Sequence, residues 1–252
     1  MIKVVEAGHS FLARLGKTRL RPGGIKATSW LLNQANMTKE LKILEVACNQ
    51  CTNAIELAKQ TGCSITAVDL DPNVVELARK RVKDAGLSHL ISVEQANALK
   101  LPYLAASYDI VINEAMLTML GDKQKAQALA EYYRVLKSGG VLLTHDVMVI
   151  DDQSDDLINR LREVIHVPAK PYDKRGWLSL FEQTGYREIE SLTGPMSLLD
   201  PIGLIRDEGL RRSCKILFNA SKKENRQYFK SMFSFFNSHK DQLGYIAIAS
   251  RK

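Results

Sequence analysis

The stretch "ILEVACNQCTNAIELAK", residues 43–59, decides the fold, because it can be parsed in two ways. In the first parse, Cys48 and Cys51 form a Cys-x-x-Cys motif of the kind that binds metal or carries redox chemistry. In the second, a buried strand, "LKILEVA", runs through a tight loop into a helix. Asn53 is placed to cap that helix, and Glu56, three residues on, is placed to reach back to the cap.

The rest of the chain favours the second parse. Strands and helices alternate from residue 41 to about residue 147, with further strands predicted at "SITAVDL", "LISVEQA", "YDIVINEA" and "VLLTHDVMV". Strands separated by helices of this length need parallel crossovers, and such a sheet is covered on both faces. Helices are predicted at "SDDLINRLREVI" and "RGWLSLFEQTG", followed by the strands "YREIESL" and "LGYIAIASRK".

The pattern therefore predicts an α/β fold: a Rossmann-like, doubly wound, seven-stranded sheet with helices on both faces. An N-terminal helical segment precedes the sheet, and a helical insertion precedes the last strand. We predict a single domain over residues 1–252, divided into an N-terminal helical cap (1–40), a core (41–193), a helical insertion or lid (194–240) and a final strand (241–252).

Composition predicts a soluble protein of a reducing compartment, the cytoplasm. Of the 252 residues, 45% are apolar, enough for a sizeable core. No apolar run approaches the ~18 residues that span a bilayer, and the first residues lack the features of a signal peptide. Four cysteines in a chain of this length do not form a disulfide framework.

The formal net charge of +7 suits either an anionic partner such as RNA or a solvated surface. Residues 1–40 carry seven Lys or Arg against two acids. The chain has no basic run of the kind that marks a nucleic-acid tail, so a solvated surface or a local anion pocket is favoured.

The first loop and the second strand suggest a nucleoside site. In an open parallel sheet, ligands bind beyond the carboxyl ends of the strands, where strand order reverses. Asp69 ends "ITAVDL" twenty residues after Asn49, the spacing of an acid that accepts hydrogen bonds from ribose hydroxyls. The positions that usually hold glycine in the loop hold Ala47, Asn49 and Cys51. A negative φ would suit alanine there, whereas Asn tolerates a positive one.

At these residues the sequence resembles the class I S-adenosylmethionine-dependent methyltransferases, particularly the small-molecule branch with the ubiquinone/menaquinone-type enzymes. "EVACNQC" is similar to the first motif of the family, and "AVDLDP" to its second. "ANALKLPY", "YDIVINEAML" and "YYRVLKSGGVLL" resemble three later motifs. The five stand in order, at normal spacing, over about residues 40–150.

The resemblance answers the question raised by the two cysteines. Cys48 stands where the family commonly carries cysteine, so the loop explains it without a metal. A zinc site needs four ligands, and no second Cys/His pair stands at ligand spacing. We therefore expect no metal.

The resemblance implies roles for the residues of the first two motifs. Glu45 would organise the loop or bind the amino group of the donor's methionine moiety. The backbone of Ala47, Cys48 and Asn49 would pass close to the methionine and the ribose. Asp69 would hold the ribose hydroxyls, since its neighbour Asp71 already serves as the cap of the next helix.

The later motifs would complete the cofactor site. Leu70 would pack on the adenine face, Asn97 would address the adenine edge through its amide, and Ala98 would supply a backbone N–H. Asn113, Glu114 and Ala115, past the fourth strand, would line the sulphonium end. A plain loop stays open as the alternative for these three.

Methyl transfer needs a base only where the acceptor must lose a proton. His145, after the fifth strand, and His9, in the N-terminal segment, are the candidates, because histidine titrates near neutral pH. Arg19 and Arg21 are placed to hold an acidic substrate. Structural or surface roles stay open for all four residues.

The sequence thus predicts an enzyme that transfers a methyl group from S-adenosylmethionine to a small-molecule acceptor. Two alternatives stay open. One is an RNA-modifying methyltransferase, and the other is a binding protein that keeps the fold without catalysis.

Overall fold

The computed structural model describes residues 6–150 and 155–252, and within them the chain builds one seven-stranded sheet in the order β3-β2-β1-β4-β5-β7-β6. The strands are β1 Lys42–Val46, β2 Ser64–Asp69, β3 Ile91–Gln95, β4 Tyr108–Glu114, β5 Leu136–Val149, β6 Arg187–Pro195 and β7 Leu243–Arg251. Neighbouring strands from β3 to β5 are parallel, and β7 is antiparallel to β5 and β6. The predicted fold class is confirmed.

Helices surround the sheet and also precede β1 and β7. They are α1 Gly8–Leu15, α2 Gly24–Asn33, α3 Thr52–Thr61, α4 Pro72–Asp84, α5 Asp122–Val135, α6 Asp155–Ile165, α7 Lys174–Thr184, α8 Pro201–Glu208, α9 Leu210–Ser221 and α10 Lys223–Ser238. The helix predicted from residue 154 is described from residue 155 onward, and residues 1–5 of the predicted cap lie outside the described residues. The proposed division into cap, core, insertion and final strand stays a prediction.

Strand β1 shows why the central strands read as continuous apolar runs. Ile43 packs into a core cluster with Leu31 and Leu57, whereas the next residue, Leu44, packs into a second cluster with Trp177. Successive side chains of a strand point to opposite faces, so both faces of β1 are buried.

The order of the strands reverses beside β1. Glu45 stands next to Ala67 of β2 on one side and Ile112 of β4 on the other. In the same way, Glu114 at the end of β4 stands next to His145 of β5. The carboxyl ends of these strands form the edge at which open α/β sheets bind ligands.

Two local predictions about helix ends need correction. The first residue of α3 is Thr52, and Cys51 stands at the N-cap without a capping hydrogen bond, so Asn53 does not cap the helix. Helix α5 ends at Val135, and β5 begins at Leu136, five residues before the predicted strand "VLLTHDVMV". The predicted cap of α4 is confirmed: Asp71 accepts a hydrogen bond of 2.8 Å from the amide of Asn73.

The helices outside the sheet meet one another. Phe11 and Leu12 of α1 are buried in one cluster with Ile216 of α9 and Met232 of α10. The N-terminal helix and the insertion before β7 therefore share a core. Among the described residues, no helix is long and apolar enough to cross a bilayer.

Candidate active site

The loop between β1 and α3, residues 47–51, has the backbone of a glycine-rich turn without glycines. The φ angles are 58° at Ala47, 47° at Asn49 and 54° at Cys51, all in the left-handed region. The φ angle of Ala47 is therefore positive, although a negative φ would suit alanine better. Left-handed backbone costs a residue with a Cβ roughly 1–2 kcal/mol. The loop keeps this strained shape because tertiary contacts impose it.

Backbone hydrogen bonds hold the loop in place. The amide of Cys48 donates to the carbonyl of Val68 on β2 over 2.9 Å, and the amide of Cys51 donates to the carbonyl of Cys48 over 2.8 Å. The amide of Asn49 donates to Oδ2 of Asp69 over 3.0 Å. The loop is thus fastened to the end of β2.

Asp69 has the geometry of a ligand-binding acid. Its Oδ1 accepts from the amide of Asp71 over 3.1 Å, so each carboxylate oxygen takes one backbone donor. A carboxylate has about four acceptor sites, and Asp69 keeps capacity for two more donors. Since Asp71 caps α4, the two neighbouring acids have separate tasks.

A cavity of about 420 Å³ lies against the loop, and we call it the loop cavity. Its wall is formed by Glu45 to Asn49, by Asn53 and Glu114, and by residues 18–20 of the N-terminal segment. Cys48 faces this cavity, whereas Cys51 is fully buried. The cavity spans the loop and the ends of β1 and β4.

Glu114 is held in its ionised form. Its Oε1 lies 2.7 Å from Nδ1 of His145, its Oε2 accepts from the amide of Asn53 over 2.6 Å, and Arg21 Nε is 3.6 Å away. Burial raises the pKa of Glu114, but the hydrogen bond to His145 and the charge of Arg21 outweigh it and lower the pKa to about 2.

Glu45 is in the opposite state. It is buried, and burial together with the nearby charge of Glu114 raises its pKa to about 8. Its Oε2 has no hydrogen-bond partner among the described residues. At neutral pH the site therefore holds one protonated and one ionised carboxyl side by side.

His145 is locked between two partners. Its ring is buried, the amide of Gly23 donates to Nε2 over 2.9 Å, and Nδ1 lies 2.7 Å from Glu114. Both nitrogens are engaged, so neither has a lone pair free to take a proton from an acceptor. The geometry favours a positioning role for His145, which ties Gly23 to Glu114, over the predicted role of base.

Arg19 and Arg21 lie in a strap, residues 17–23, that crosses the loop side of the site. Arg19 forms an ion pair with Glu56, and its Nη1 donates to the carbonyl of Asp207 over 2.6 Å. The amides of Thr18 and Arg19 both donate to Oε1 of Glu208 on α8. Arg19 borders the loop cavity, and Nε of Arg19 has no hydrogen-bond partner in the described part of the chain.

Arg21 is almost fully buried and donates to Oδ1 of Asn53 over 2.6 Å. The strap thus reaches α3 and Glu114 through ion pairs and hydrogen bonds. Sequence reasoning missed this network, although the paired basic residues of "KTRLR" were a signal for it.

A second cavity, of about 640 Å³, lies beyond Ala115, and we call it the apolar cavity. Its wall comes from α1, the strap, the turn after β4, the end of β5, α6, residues 167–169 and 196–198, and α10. Typical members are Leu12, Ala115, Val167, Leu198, Met232 and Phe236. Neither Arg19 nor Arg21 lines it.

His9 stands between the two halves of the site. It lines the apolar cavity and is close enough to Asp69 for that charge to raise its pKa, although burial has the larger effect and lowers it. Its Nδ1 has no hydrogen-bond partner among the residues described. A neutral, unpartnered imidazole at this place has the properties of a general base.

Leu70, Asn97 and Ala98, the residues predicted to bind the adenine, follow the carboxyl ends of β2 and β3. Leu70 is 63% exposed beyond β2, which suits a side chain that packs on a ligand. Asn97 is exposed and its Oδ1 accepts from the amide of Leu99 over 2.9 Å, while Ala98 is half-buried. Asn113, near the end of β4, is fully buried and donates to Thr144, whereas Glu114 lines the loop cavity and Ala115 lines the apolar cavity.

Comparison with known proteins agrees with this geometry. Residues 43–140 match a family model described as a methyltransferase domain. An uncharacterized protein of Haemophilus influenzae is 50% identical over 98% of both chains. The methyltransferase GfsG of Streptomyces halstedii is 30% identical, over 71% of this chain and 67% of its own.

The chain belongs to the class I S-adenosylmethionine-dependent methyltransferases. The predicted enzyme, a small-molecule methyltransferase with S-adenosylmethionine as its cofactor, is confirmed. The fold of this methyltransferase is shared with phosphoethanolamine N-methyltransferase 2 of Haemonchus contortus, which was solved with S-adenosylhomocysteine. The TM-score is 0.78 at 17% identity, over 99% of this chain and 59% of that one.

The loop side of the methyltransferase fits the cofactor. Asp69 keeps acceptor capacity, and Glu45 Oε2 and Arg19 Nε are buried polar atoms without partners among the described residues, beside the loop cavity. Unpartnered buried polar atoms are costly, and a ligand with an ammonium and a carboxylate would satisfy them.

Proposed function

We propose that this methyltransferase acts on a compact, predominantly apolar acceptor bound in the apolar cavity. The observation that carries the proposal is the lining of that cavity by aliphatic, methionine and aromatic side chains such as Leu12, Met232 and Phe236. Sites for small molecules are concave and mostly apolar, as this cavity is. A polyanionic acceptor would be desolvated against these apolar walls, which offer few polar partners.

We assign the cofactor to the loop side. Asp69 binds the ribose hydroxyls, and the backbone of Ala47, Cys48 and Asn49 borders the methionine and the ribose. Glu45 serves the amino group and Arg19 the carboxylate, which is a change from the predicted role of Arg19 at the substrate.

The same assignment places Leu70, Asn97 and Ala98 around the adenine. Bound S-adenosylmethionine supplies a methyl group on a sulphonium, which is electrophilic without help from a metal. Glu114 and Ala115 then separate the cofactor from the acceptor.

The chain's own residues orient the acceptor and exclude water. Apolar walls around the acceptor leave the cationic donor in a medium of low dielectric, where dispersal of its charge is favoured. Where the acceptor must lose a proton, His9 takes it. Because burial lowers the pKa of His9, its imidazole is neutral at pH 7 and ready to accept that proton.

The acceptor class can be tested with the enzyme and S-adenosylmethionine carrying a labelled methyl group. A small-molecule extract is separated into an apolar and a polar fraction, and RNA is offered as a third substrate. We expect label in the apolar fraction. Label confined to polar amines, to carboxylates or to RNA would contradict the proposal.

The variant Val167→Phe tests the place of binding. Val167 is half-buried and lines the apolar cavity, so the larger ring fills space that the acceptor needs. We expect the rate of labelling to fall by roughly tenfold or more, because even one extra methylene group in an apolar pocket has an effect of about that size. The affinity for S-adenosylhomocysteine should not change. Leu77→Phe on α4, outside both cavities, is the matched control.

A further inference from the structure

Helices α8 and α9 carry large apolar side chains on their outer surface. The exposed fractions are 74% for Ile202, 46% for Ile205, 65% for Leu210, 50% for Leu217 and 67% for Phe218. We call these five residues the apolar patch. Single exposed apolar residues are ordinary on a protein, but five on two successive helices form a group that marks an interaction surface.

The geometry of α9 shows that the patch is additional to the helix's own packing. Ser213, Ile216 and Ala220 are buried, so one face of α9 already packs against the protein. Leu217 follows Leu210 by seven residues, and Phe218 comes directly after Leu217. At these spacings the three side chains share another face of α9. A helix that packed only against its own protein would be polar there.

Exposed positive charge accompanies these apolar side chains along the same stretch of the chain. Residues 201–223 contain Arg206, Arg211, Arg212, Lys215, Lys222 and Lys223, all exposed. The two acids of this segment, Asp207 and Glu208, are buried. They accept hydrogen bonds from the amides of Ile25 and Thr18, so their charge is directed inward to the N-terminal segment.

We propose that α8 and α9 dock this methyltransferase onto the surface of an anionic lipid bilayer. The apolar patch would enter the boundary between headgroups and acyl chains, and the Arg and Lys side chains would meet the lipid phosphates. The long stems of Arg211 and Lys215 allow their charges to reach the headgroups while Leu217 and Phe218 are inserted.

The other kinds of partner fit less well. A second copy of the chain in a twofold pairing would set six positive charges against the same six. A nucleic acid would use the charges but would leave the aliphatic side chains exposed, because phosphate contacts require no apolar surface. The bilayer is the partner that satisfies both features.

Docking would also place the acceptor site near the lipid. Leu204 of α8 and Ile216 of α9 are buried in one cluster with Met232, and Met232 lines the apolar cavity. The inner faces of the docking helices therefore support the wall of that cavity. The inference itself rests on the exposed surface and stands whether or not the acceptor is apolar.

Vesicle sedimentation with the full chain tests the proposal. The vesicles are phosphatidylcholine alone and phosphatidylcholine mixed with phosphatidylglycerol, at low salt and at high salt. We expect binding to the anionic vesicles at low salt, weaker binding at high salt, and little binding to neutral vesicles.

Two double variants separate the contributions. Leu217→Ser with Phe218→Ser removes inserted surface and should weaken binding by roughly tenfold or more. Arg211→Glu with Lys215→Glu should weaken it by about fivefold or more for each position. Leu104→Ser removes an equally exposed side chain, 83% exposed, at a loop before β4 and should leave binding unchanged.

Affinity for S-adenosylhomocysteine and the circular dichroism spectrum verify that each variant is folded. The proposal is overturned if wild type stays in the supernatant with anionic vesicles at low salt, or if the serine variant pellets as wild type does. It is equally overturned if wild type forms dimers that Phe218→Ser dissociates while vesicles bind neither protein.

Discussion

The loop cavity and the apolar cavity meet at Glu114 and Ala115 but are built in different ways. The loop cavity takes most of its wall from one short stretch, Glu45 to Asn53, and is ordered by hydrogen bonds and buried charges. The apolar cavity takes single side chains from segments between residues 8 and 236 and is ordered by packing. The loop cavity is therefore encoded locally, and the apolar cavity depends on the whole fold.

The two cavities also differ in strain and in buried charge. The loop cavity is bordered by left-handed Ala47, by a protonated Glu45 and by an ionised Glu114, whose charge acts on Glu45. Strain and buried charge of this kind persist only where the surroundings impose them. The apolar cavity is instead lined mostly by aliphatic, methionine and aromatic side chains, which hold it by packing.

The largest expected effect is a loss of cofactor affinity that distinguishes Asp69, the last residue of β2, from the nearby Asp71. Asp69→Ala removes a carboxylate that would hold two ribose hydroxyls, and charged hydrogen bonds are worth about 1.5–3 kcal/mol each. We expect calorimetry to show affinity for S-adenosylhomocysteine at least about 100-fold lower. Asp71→Ala should cost about 1 kcal/mol of stability as a lost cap and leave affinity unchanged. Equal affinities in the two variants would remove Asp69 from the site.

The next effect distinguishes the two histidines. His9→Ala should lower the labelling rate of an acceptor that loses a proton by about 100-fold, with unchanged affinity for the cofactor product. The wild-type rate should fall at acidic pH, where His9 becomes protonated. His145→Ala should instead lower the thermal midpoint, because Gly23 and Glu114 lose their partner. A His9→Ala enzyme with the full rate at all pH values would exclude His9 as the base.

The paired carboxyls predict opposite responses to pH. The pKa of Glu45 rises from 4.5 to about 8 on folding, so between these values the unfolded chain is ionised there and the folded chain is not. The contribution of Glu45 to the free energy of unfolding is therefore fully present below pH 4.5 and is lost as the pH rises to about 8. Glu45→Gln should change little near pH 5 and stabilise the fold by roughly 2–4 kcal/mol near pH 8.

Glu114 provides the control for that experiment. Its pKa falls to about 2, so its contribution is present above pH 4.5 and is lost as pH falls. Glu114→Gln should therefore destabilise the fold at pH 8, measured by urea unfolding. If Glu45→Gln had the same effect at both pH values, a buried protonated Glu45 would be the wrong description.

The smallest effect concerns the strained loop. Ala47→Gly relieves the strain of the left-handed backbone in the folded state, but it also increases the conformational entropy of the unfolded chain. The difference between the two effects should stabilise the fold by about 0.5–1 kcal/mol. The same substitution at exposed Ala126 inside α5 should destabilise it by about 1 kcal/mol. If both variants were destabilised alike, Ala47 would have no strain to relieve.

The sequence predicted the parts of the molecule that depend on neighbours in the chain. The order of strands and helices, the position of Asp69 and the cap by Asp71 follow from period and spacing. The shape of the loop did not follow, because the hydrogen bond from Asn49 to Asp69 overrides the preference of Ala47. The role of His145 could not be predicted either, because its partners Gly23 and Glu114 come from the strap and from β4.

The apolar cavity was predictable only through its helices. Residues 194–240 were predicted to form a helical insertion or lid, and Met232 and Phe235 of this segment are buried. Nothing in the pattern could place Met232 opposite Leu12 or bring Val167 to the same cavity. Met232 and Leu12 are more than 200 residues apart in the chain, and periodicity carries no information about such distant contacts.

Calorimetric titration of the wild-type protein with S-adenosylmethionine and S-adenosylhomocysteine tests the central claim most directly. The claim is that a turn without glycines keeps the left-handed backbone of a cofactor loop and binds the nucleoside. We expect one site per chain with a dissociation constant below about 100 μM for both compounds. Absence of binding by either compound up to about 1 mM would contradict it.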